Sequence, residues 1–176
     1  MKSTPTKIPG CHRIELRRLD DERGHFTTIF EMDSMQSIDP GFRIERINRS
    51  WTHRSGAIRG VHFQNAPMAE DKLVQCLRGR IFDVCVDLRT ESSTYRQWVA
   101  VELSVENQEL LLVPKGCGHA FQTLTEDCVV EYFVNGKYSR EHERGVLWND
   151  PAIGIDWPLP CTLTSKRDAE WPRLER

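Results

Sequence analysis

The pattern of apolar and polar positions is strand-like nearly throughout the chain, and helical periodicity is weak everywhere. Strand-like runs stand at 25–31 (HFTTIFE), 42–51 (FRIERINRSW), 56–64 (GAIRGVHFQ), 97–104 (QWVAVELS), 108–114 (QELLLVP), 119–125 (HAFQTLT) and 128–135 (CVVEYFVN). Between them KLVQCL and IFDVCVDLR form a longer pair, and Arg78-Gly79-Arg80 is expected to turn them into a hairpin. β-Branched and aromatic residues dominate these runs, and Gly, Pro, Asn, Asp and Ser punctuate them. Short strands at about ten-residue spacing predict an all-β sandwich or barrel. The stretch MDSMQS (32–37) is expected to make one or two helical turns. The Pro-rich, aromatic tail from Trp157 onward reads as an ordered arm laid over the barrel.

The 176 residues fit a single domain, 1–176, long enough to bury roughly 70% of the unfolded chain's surface. No internal repeat, low-complexity segment or linker interrupts it. A net charge of −2 sets up no global basic field for nucleic acid or an anionic membrane. The longest apolar runs, such as ELLLVP, are far too short to span a bilayer, and the N-terminus lacks an apolar signal core. Six cysteines, at 11, 76, 85, 117, 128 and 161, contain no CxxC pair, so they read as reduced thiols of a cytoplasmic protein. Their spacing does not suit zinc.

The run GAIRGVHFQ breaks the simple pattern. Strict alternation puts Ile58, Gly60, His62 and Gln64 on one face and Arg59, Val61 and Phe63 on the other. Each face then carries a charged or titratable group, so either both are wet or a histidine is held inside. For Arg59 to share a face with His62, a bulge at Gly60 or a site at the barrel mouth is required. Three further stretches carry chemistry. Lys72 enters a strand at EDKLVQC, His119 follows the glycine-rich PKGCGHAF turn, and Tyr132 and Tyr138 flank a loop in VEYFVNGKY. Taken singly, these are a core histidine, a solvated lysine, a core tyrosine and a surface arginine. A small barrel, however, points alternate residues of several strands into one cavity. A metal is a poor fit. Where a metal-binding cupin barrel carries an HxH pair, this chain reads His62-Phe63-Gln64, and Lys72 would repel a cation.

The ordered motifs RGxF, IRGVHFQ, DKLV, GxIxDVxVDLRxxSxT, VPKGxGHAF, ExGVLWNDPAIGIDWP and SKRDAEWPRL resemble the dTDP-4-dehydrorhamnose 3,5-epimerase family from about Arg23 to Leu174. The resemblance implies a metal-independent cupin jelly roll (a double-stranded β-helix) with short helical turns, without cofactor and usually homodimeric. It implies inversion of the carbons flanking the 4-keto group of a nucleotide-linked 6-deoxyhexose. Such chemistry needs a base on one face of the sugar, a cation at the developing oxyanion and an acid on the other face. By resemblance His62 is the base, Tyr132 the acid, Lys72 the oxyanion partner and Asp168 the carboxylate that orients the imidazole. Asp83, in the middle of a strong strand, is the alternative orienter.

Arg23, Arg59 and Arg167 fall on phosphate-binding positions, where arginine's planar fork suits bidentate contacts. His119, Tyr138 and Glu143 match sugar-contacting positions, and Gln64 joins the substrate-binding set. Arg46 and Asn48 match nucleobase positions, and Phe26 is available to pack on a base. Two departures bear on the base: Thr28 stands where the family usually has glutamate, and Arg46 where it usually has glutamine. Those positions help hold the base in the family, the first often coming from the partner subunit, and the changes point to an altered base edge, with GDP- or CDP-linked sugars as alternatives to dTDP. With Tyr132 present, inversion of both C3 and C5 is expected. The competing class is a non-catalytic cupin that binds a sugar nucleotide.

Overall fold

The computed structural model describes residues 1–174. In chain order the strands are β1 (Lys2–Pro5), β2 (His12–Glu15), β3 (Arg18–Asp21), β4 (Gly24–Thr27), β5 (Arg46–Thr52), β6 (Ile58–Gln64) and β7 (Lys72–Arg78). They continue as β8 (Arg80–Asp87), β9 (Trp98–Ser104), β10 (Glu109–Val113), β11 (Cys117–Thr123), β12 (Cys128–Val134) and β13 (Glu143–Gly145). Two short helices complete the fold, α1 (Met32–Gln36) at the expected helical turns and α2 (Lys166–Glu170) in the tail.

Two antiparallel sheets face each other, one ordered β1-β2-β10-β7-β12-β5 and the other β13-β6-β11-β8-β9, with β3-β4 as a separate ribbon. This is the jelly-roll arrangement of a cupin barrel. Inward residues of both sheets make the central core, including Val74, Cys76, Ile81, Cys85, Leu111, Phe121 and Val130. The outer face of the larger sheet is covered by α1 and its flanks, with Met35 and Phe42 against Leu73, Leu112 and Phe133. The outer face of the smaller sheet is covered by the C-terminal arm, where Ile153, Ile155 and Trp157 pack with Val84, Val86 and Ala120. Strands buried on both faces have no polar side. β10 and β11 are accordingly buried at every position, although only one face of each meets the central core.

The expected hairpin at Arg78-Gly79-Arg80 does not form. β7 pairs with β10 and β12 in one sheet, while β8 pairs with β9 and β11 in the other, so Gly79 carries the chain across the barrel. A turn residue between two apolar runs marks a reversal without saying which sheet receives the second strand. Run 42–51 begins pairing only at Arg46, and run 25–31 stops at Thr27. The arm is ordered, tied down by Ile58 N donating to Leu163 O at 2.9 Å.

Candidate active site

At Gly60 the register of β6 against β11 slips, so that His119 stands opposite His62 but Phe121 stands opposite Arg59. The extra residue brings Arg59 and His62 to the same cavity, the first of the two arrangements that the sequence left open. Only glycine fits there. Its φ is +124°, and a Cβ would lie 2.5 Å from the Ala120 Cβ.

His62 and Arg59 open into a cavity of about 550 Å³ between the sheets, within the usual size for small-molecule sites. β5 supplies Arg46, Asn48 and Ser50, β7 supplies Lys72, and β12 supplies Tyr132. From the opposite sheet come His119 on β11 and Glu143 on β13, and the arm adds Arg167 and Asp168. The arrangement follows from alternation, since every second residue of these strands points inward.

The His62 Nε2 lies 2.5 Å from Asp168 Oδ1. Ser165 caps α2 by accepting from the Asp168 backbone N–H at 3.0 Å, which fixes where that carboxylate points. Burial pushes the Asp168 carboxyl up, but the hydrogen bond and the charge of His62 outweigh it and hold the group below its ordinary value. The Trp171 ring stands edge-on to the imidazole, with centroids 6.4 Å apart. Gly145 makes that possible, because a Cβ there would fall 2.3 Å from the indole.

Lys72 Nζ donates to the His62 carbonyl at 3.4 Å and lies 3.6 Å from Glu70 Oε1. Desolvation lowers its affinity for a proton, and the Glu70 carboxylate opposes that. The Tyr132 hydroxyl is 3.0 Å from Ser50 Oγ, and burial raises the phenol well above its ordinary value. Its ring meets His119 in a T-shaped contact with centroids 5.6 Å apart.

Asp83 is not the orienter of His62. It lies 2.7 Å from His119 Nε2, fully buried, because β8 is the sheet neighbour of β11, which separates it from β6. Burial raises the Asp83 carboxyl despite the attraction of His119. The cavity is thus lined by two carboxylate-backed histidines, with Asp83 behind His119 rather than on the cavity wall.

Arg59 Nε donates to Thr52 Oγ1 at 2.9 Å. Glu143 bridges Arg167 and the Tyr138 hydroxyl, the latter at 2.6 Å, while the Arg167 guanidinium stacks 5.0 Å from the Trp171 ring centre. Arg46 is bound to Glu70 Oε2 at 2.5 Å and to the Gly136 carbonyl. Asn48 lines the cavity beside it.

Three expected binding residues lie elsewhere. Gln64 is buried off the cavity, its amide nitrogen donating to Met68 O, Glu70 Oε2 and Lys137 O. At the end of β6 it is held instead by groups of the β6–β7 connection and the 137–139 segment. Arg23 and Phe26 sit on the exposed β3-β4 ribbon, where Arg23 pairs with Asp21 and Phe26 is 66% exposed. The sequence reading missed Ser50 and Glu70. Ser50 continues the two-residue period of Arg46 and Asn48, and Glu70 precedes Lys72 by two in AEDK, so both had a signal. Among the described residues, no group of three His, Cys, Asp or Glu side chains is placed to hold a metal ion.

A cupin barrel whose cavity carries two carboxylate-backed histidines, a partly buried lysine and a partly buried phenol defines a class suited to moving protons beside a carbonyl. A family model described as dTDP-4-dehydrorhamnose 3,5-epimerase matches residues 5–176. A protein of that name from Sinorhizobium fredii is 44% identical over 162 residues, covering 92% of this chain and 83% of its own. One from Methanothermobacter thermautotrophicus is 40% identical, covering 96% and 92%. The crystal structure of the Bacillus anthracis enzyme of that name, with TDP and PPi bound, superposes with a TM-score of 0.95 at 39% identity, covering 98% of this chain and 99% of that one. The chain belongs to the dTDP-4-dehydrorhamnose 3,5-epimerase family, a family of isomerases.

Proposed function

We propose that this protein inverts carbons flanking the C4 ketone of a dTDP-linked 4-keto-6-deoxyhexose, with His62, Lys72, Tyr132 and Asp168 as its working groups. The observation that carries the reading is the placement of His62 and Tyr132 on opposite sheets of one cavity that also holds the Lys72 ammonium. With Nε2 engaged by Asp168, Nδ1 of His62 is the nitrogen that takes the proton α to the ketone. Asp168 then stabilises the imidazolium. Lys72 meets the oxygen that becomes the enolate. Tyr132 returns a proton from the other face, and the high proton affinity of its desolvated phenol suits a neutral donor that keeps its proton until the enolate forms. Its presence favours inversion at both C3 and C5.

Arg59 and Arg167 supply cations for the diphosphate, with His119, Tyr138 and Glu143 around the sugar and Arg46 and Asn48 toward the base. The relatives' names support dTDP as the carrier. We place Arg23 and Phe26 in the partner's site of a homodimer, since their ribbon does not reach this chain's own cavity and exposes Leu19 and Phe26. All six cysteines are free, which suits a reducing compartment such as the cytoplasm.

Incubation with dTDP-4-keto-6-deoxyglucose in deuterium oxide tests the reading. Deuterium is expected at the carbons beside the ketone, and His62→Ala is expected to abolish it. No exchange by the unmutated enzyme with any 4-keto-6-deoxy sugar nucleotide would defeat the proposal.

A further inference from the structure

Glu70 lies in the connection before β7 with its side chain 5% exposed, and its two oxygens face different partners. Oε2 accepts from Arg46 Nη2 at 2.5 Å and from Gln64 Nε2 at 2.8 Å. Oε1 faces Lys72 Nζ at 3.6 Å, an ion-pair distance too long for a hydrogen bond. Arg46 is itself held by the Gly136 carbonyl, and Gln64 by Met68 O, Lys137 O and the Ser139 N–H. β5, β6 and the 136–139 segment therefore fix one carboxylate beside one ammonium.

A lysine largely removed from water tends to lose its proton, and a neutral amine is a poor partner for an enolate. A carboxylate in direct contact would keep the charge but draw the ammonium out of the cavity. Here the donors on Oε2 hold the carboxylate back, so its charge reaches Lys72 while the ammonium remains directed at the cavity. We propose that Glu70 is a positioning residue for the reaction, clamped by Arg46 and Gln64 so that it keeps Lys72 protonated without capturing it. The inference rests on the role given to Lys72 above.

Arg46 from β5, Asp83 from β8 and Glu143 from β13 also act on the charge of Lys72, and His62 from β6, His119 from β11 and Tyr132 from β12 share its cavity. Among them Arg46 disfavours the ammonium and the carboxylates favour it. An electrostatic role therefore gives opposite signs on the two sides of the Arg46–Glu70 bridge. Titration of the lysine ε-carbons by 13C NMR, with the Lys72 signal assigned by its loss in Lys72→Met, reads this directly. Glu70→Gln is expected to lower the Lys72 midpoint by about one pH unit or more, and Arg46→Gln to raise it. The alkaline limb of the kcat/KM profile is expected to move in the same two directions. Shifts of the same sign in both variants, or none, would show that the bridge is only a brace and overturn the proposal. Should Glu70→Gln fail to fold because Arg46 is left unpaired, the comparison of Arg46→Gln with the Arg46→Gln/Glu70→Gln double variant isolates the carboxylate, and a lower midpoint in the double is required. If the unmutated enzyme shows no deuterium exchange, the epimerase reading fails, while the NMR midpoints still decide what Glu70 does to Lys72.

Discussion

Asp168 Oδ1 on α2 sits 2.5 Å from His62 Nε2 on β6, joining two positions 106 residues apart in the chain. Asp168 is 4% exposed and its backbone N–H is held by Ser165 Oγ, so the imidazole has a fixed partner and a ready counter-charge. Asp168→Asn keeps the shape but removes that charge. It is expected to lower kcat by about 10²–10⁴-fold with KM little changed, as when an orienting carboxylate is neutralised. Steady-state kinetics checks this; a kcat within a few-fold of the unmutated enzyme would mean that the charge of Asp168 is not needed to orient or balance the base.

Lys72→Ala removes the cation from the cavity while leaving both histidine–carboxylate pairs in place. The loss is expected to be about 2.7–4 kcal/mol of transition-state stabilisation, roughly 10²–10³-fold in kcat, comparable to a deleted oxyanion donor. A normal rate would show that the enolate charge is held by a different group.

Tyr132→Phe keeps the ring against His119 and loses only the hydroxyl that meets Ser50. Proton removal by His62 is expected to continue, so deuterium still enters the substrate, while formation of the inverted product falls by about 10²–10⁴-fold. Mass and NMR analysis of the recovered sugar separates the two steps. Equal loss of exchange and inversion would place the phenol earlier in the reaction.

Gly145→Ala tests how the arm closes the site. The added methyl would stand 2.3–2.4 Å from the Trp171 indole, too close for any side chain, so the ring must move. Trp171 stands beside His62 and carries Arg167 on its face, so its displacement is expected to disturb both. A raised KM for the sugar nucleotide together with a changed Trp fluorescence is the expected outcome, with the thermal midpoint lowered by a few degrees at most.

Much of this was readable in the chain. The central strands show themselves because β-branched and aromatic residues recur where two faces are buried, and the misfit of Arg59 and His62 within one strand announced the slip at Gly60. The supposed hairpin at Gly79 was misread because runs buried on both faces carry no mark of which sheet they join. β1, β2, β3 and β13 are three or four residues long and mostly polar, so their pairing comes from neighbours rather than from pattern. Asp168 lies in a five-residue helix with no periodicity to read, and only the family resemblance pointed to it. Asp83 stands as the alternative orienter of His62 because strand order, which alternation does not contain, decides which histidine it meets.

Acid stability should expose a carboxylate remote from the chemistry. Asp87 is fully buried at the end of β8, where Oδ1 accepts from Arg89 Nε at 2.8 Å and from the Arg89 backbone N–H at 3.1 Å. Oδ2 accepts from Arg89 Nη2 at 2.8 Å and from the Ser92 and Thr94 hydroxyls at 2.6 Å each. Burial alone would raise this carboxyl, but five donors outweigh it and hold it well below the usual carboxylate range. Because the folded value is depressed, the stabilisation is fully present above the unfolded value of about 3.9 and is lost as pH falls through that value toward the folded one. Asp87→Asn is therefore expected to cost about 2–3 kcal/mol at neutral pH, the scale of hydrogen bonds to a charged group. In urea unfolding at pH 7, 5, 4 and 3, the gap between the unmutated protein and the variant should hold down to about pH 4 and shrink below it. A gap that stays constant to pH 3 would assign the effect to packing of the β8–β9 connection rather than to the charge on Asp87.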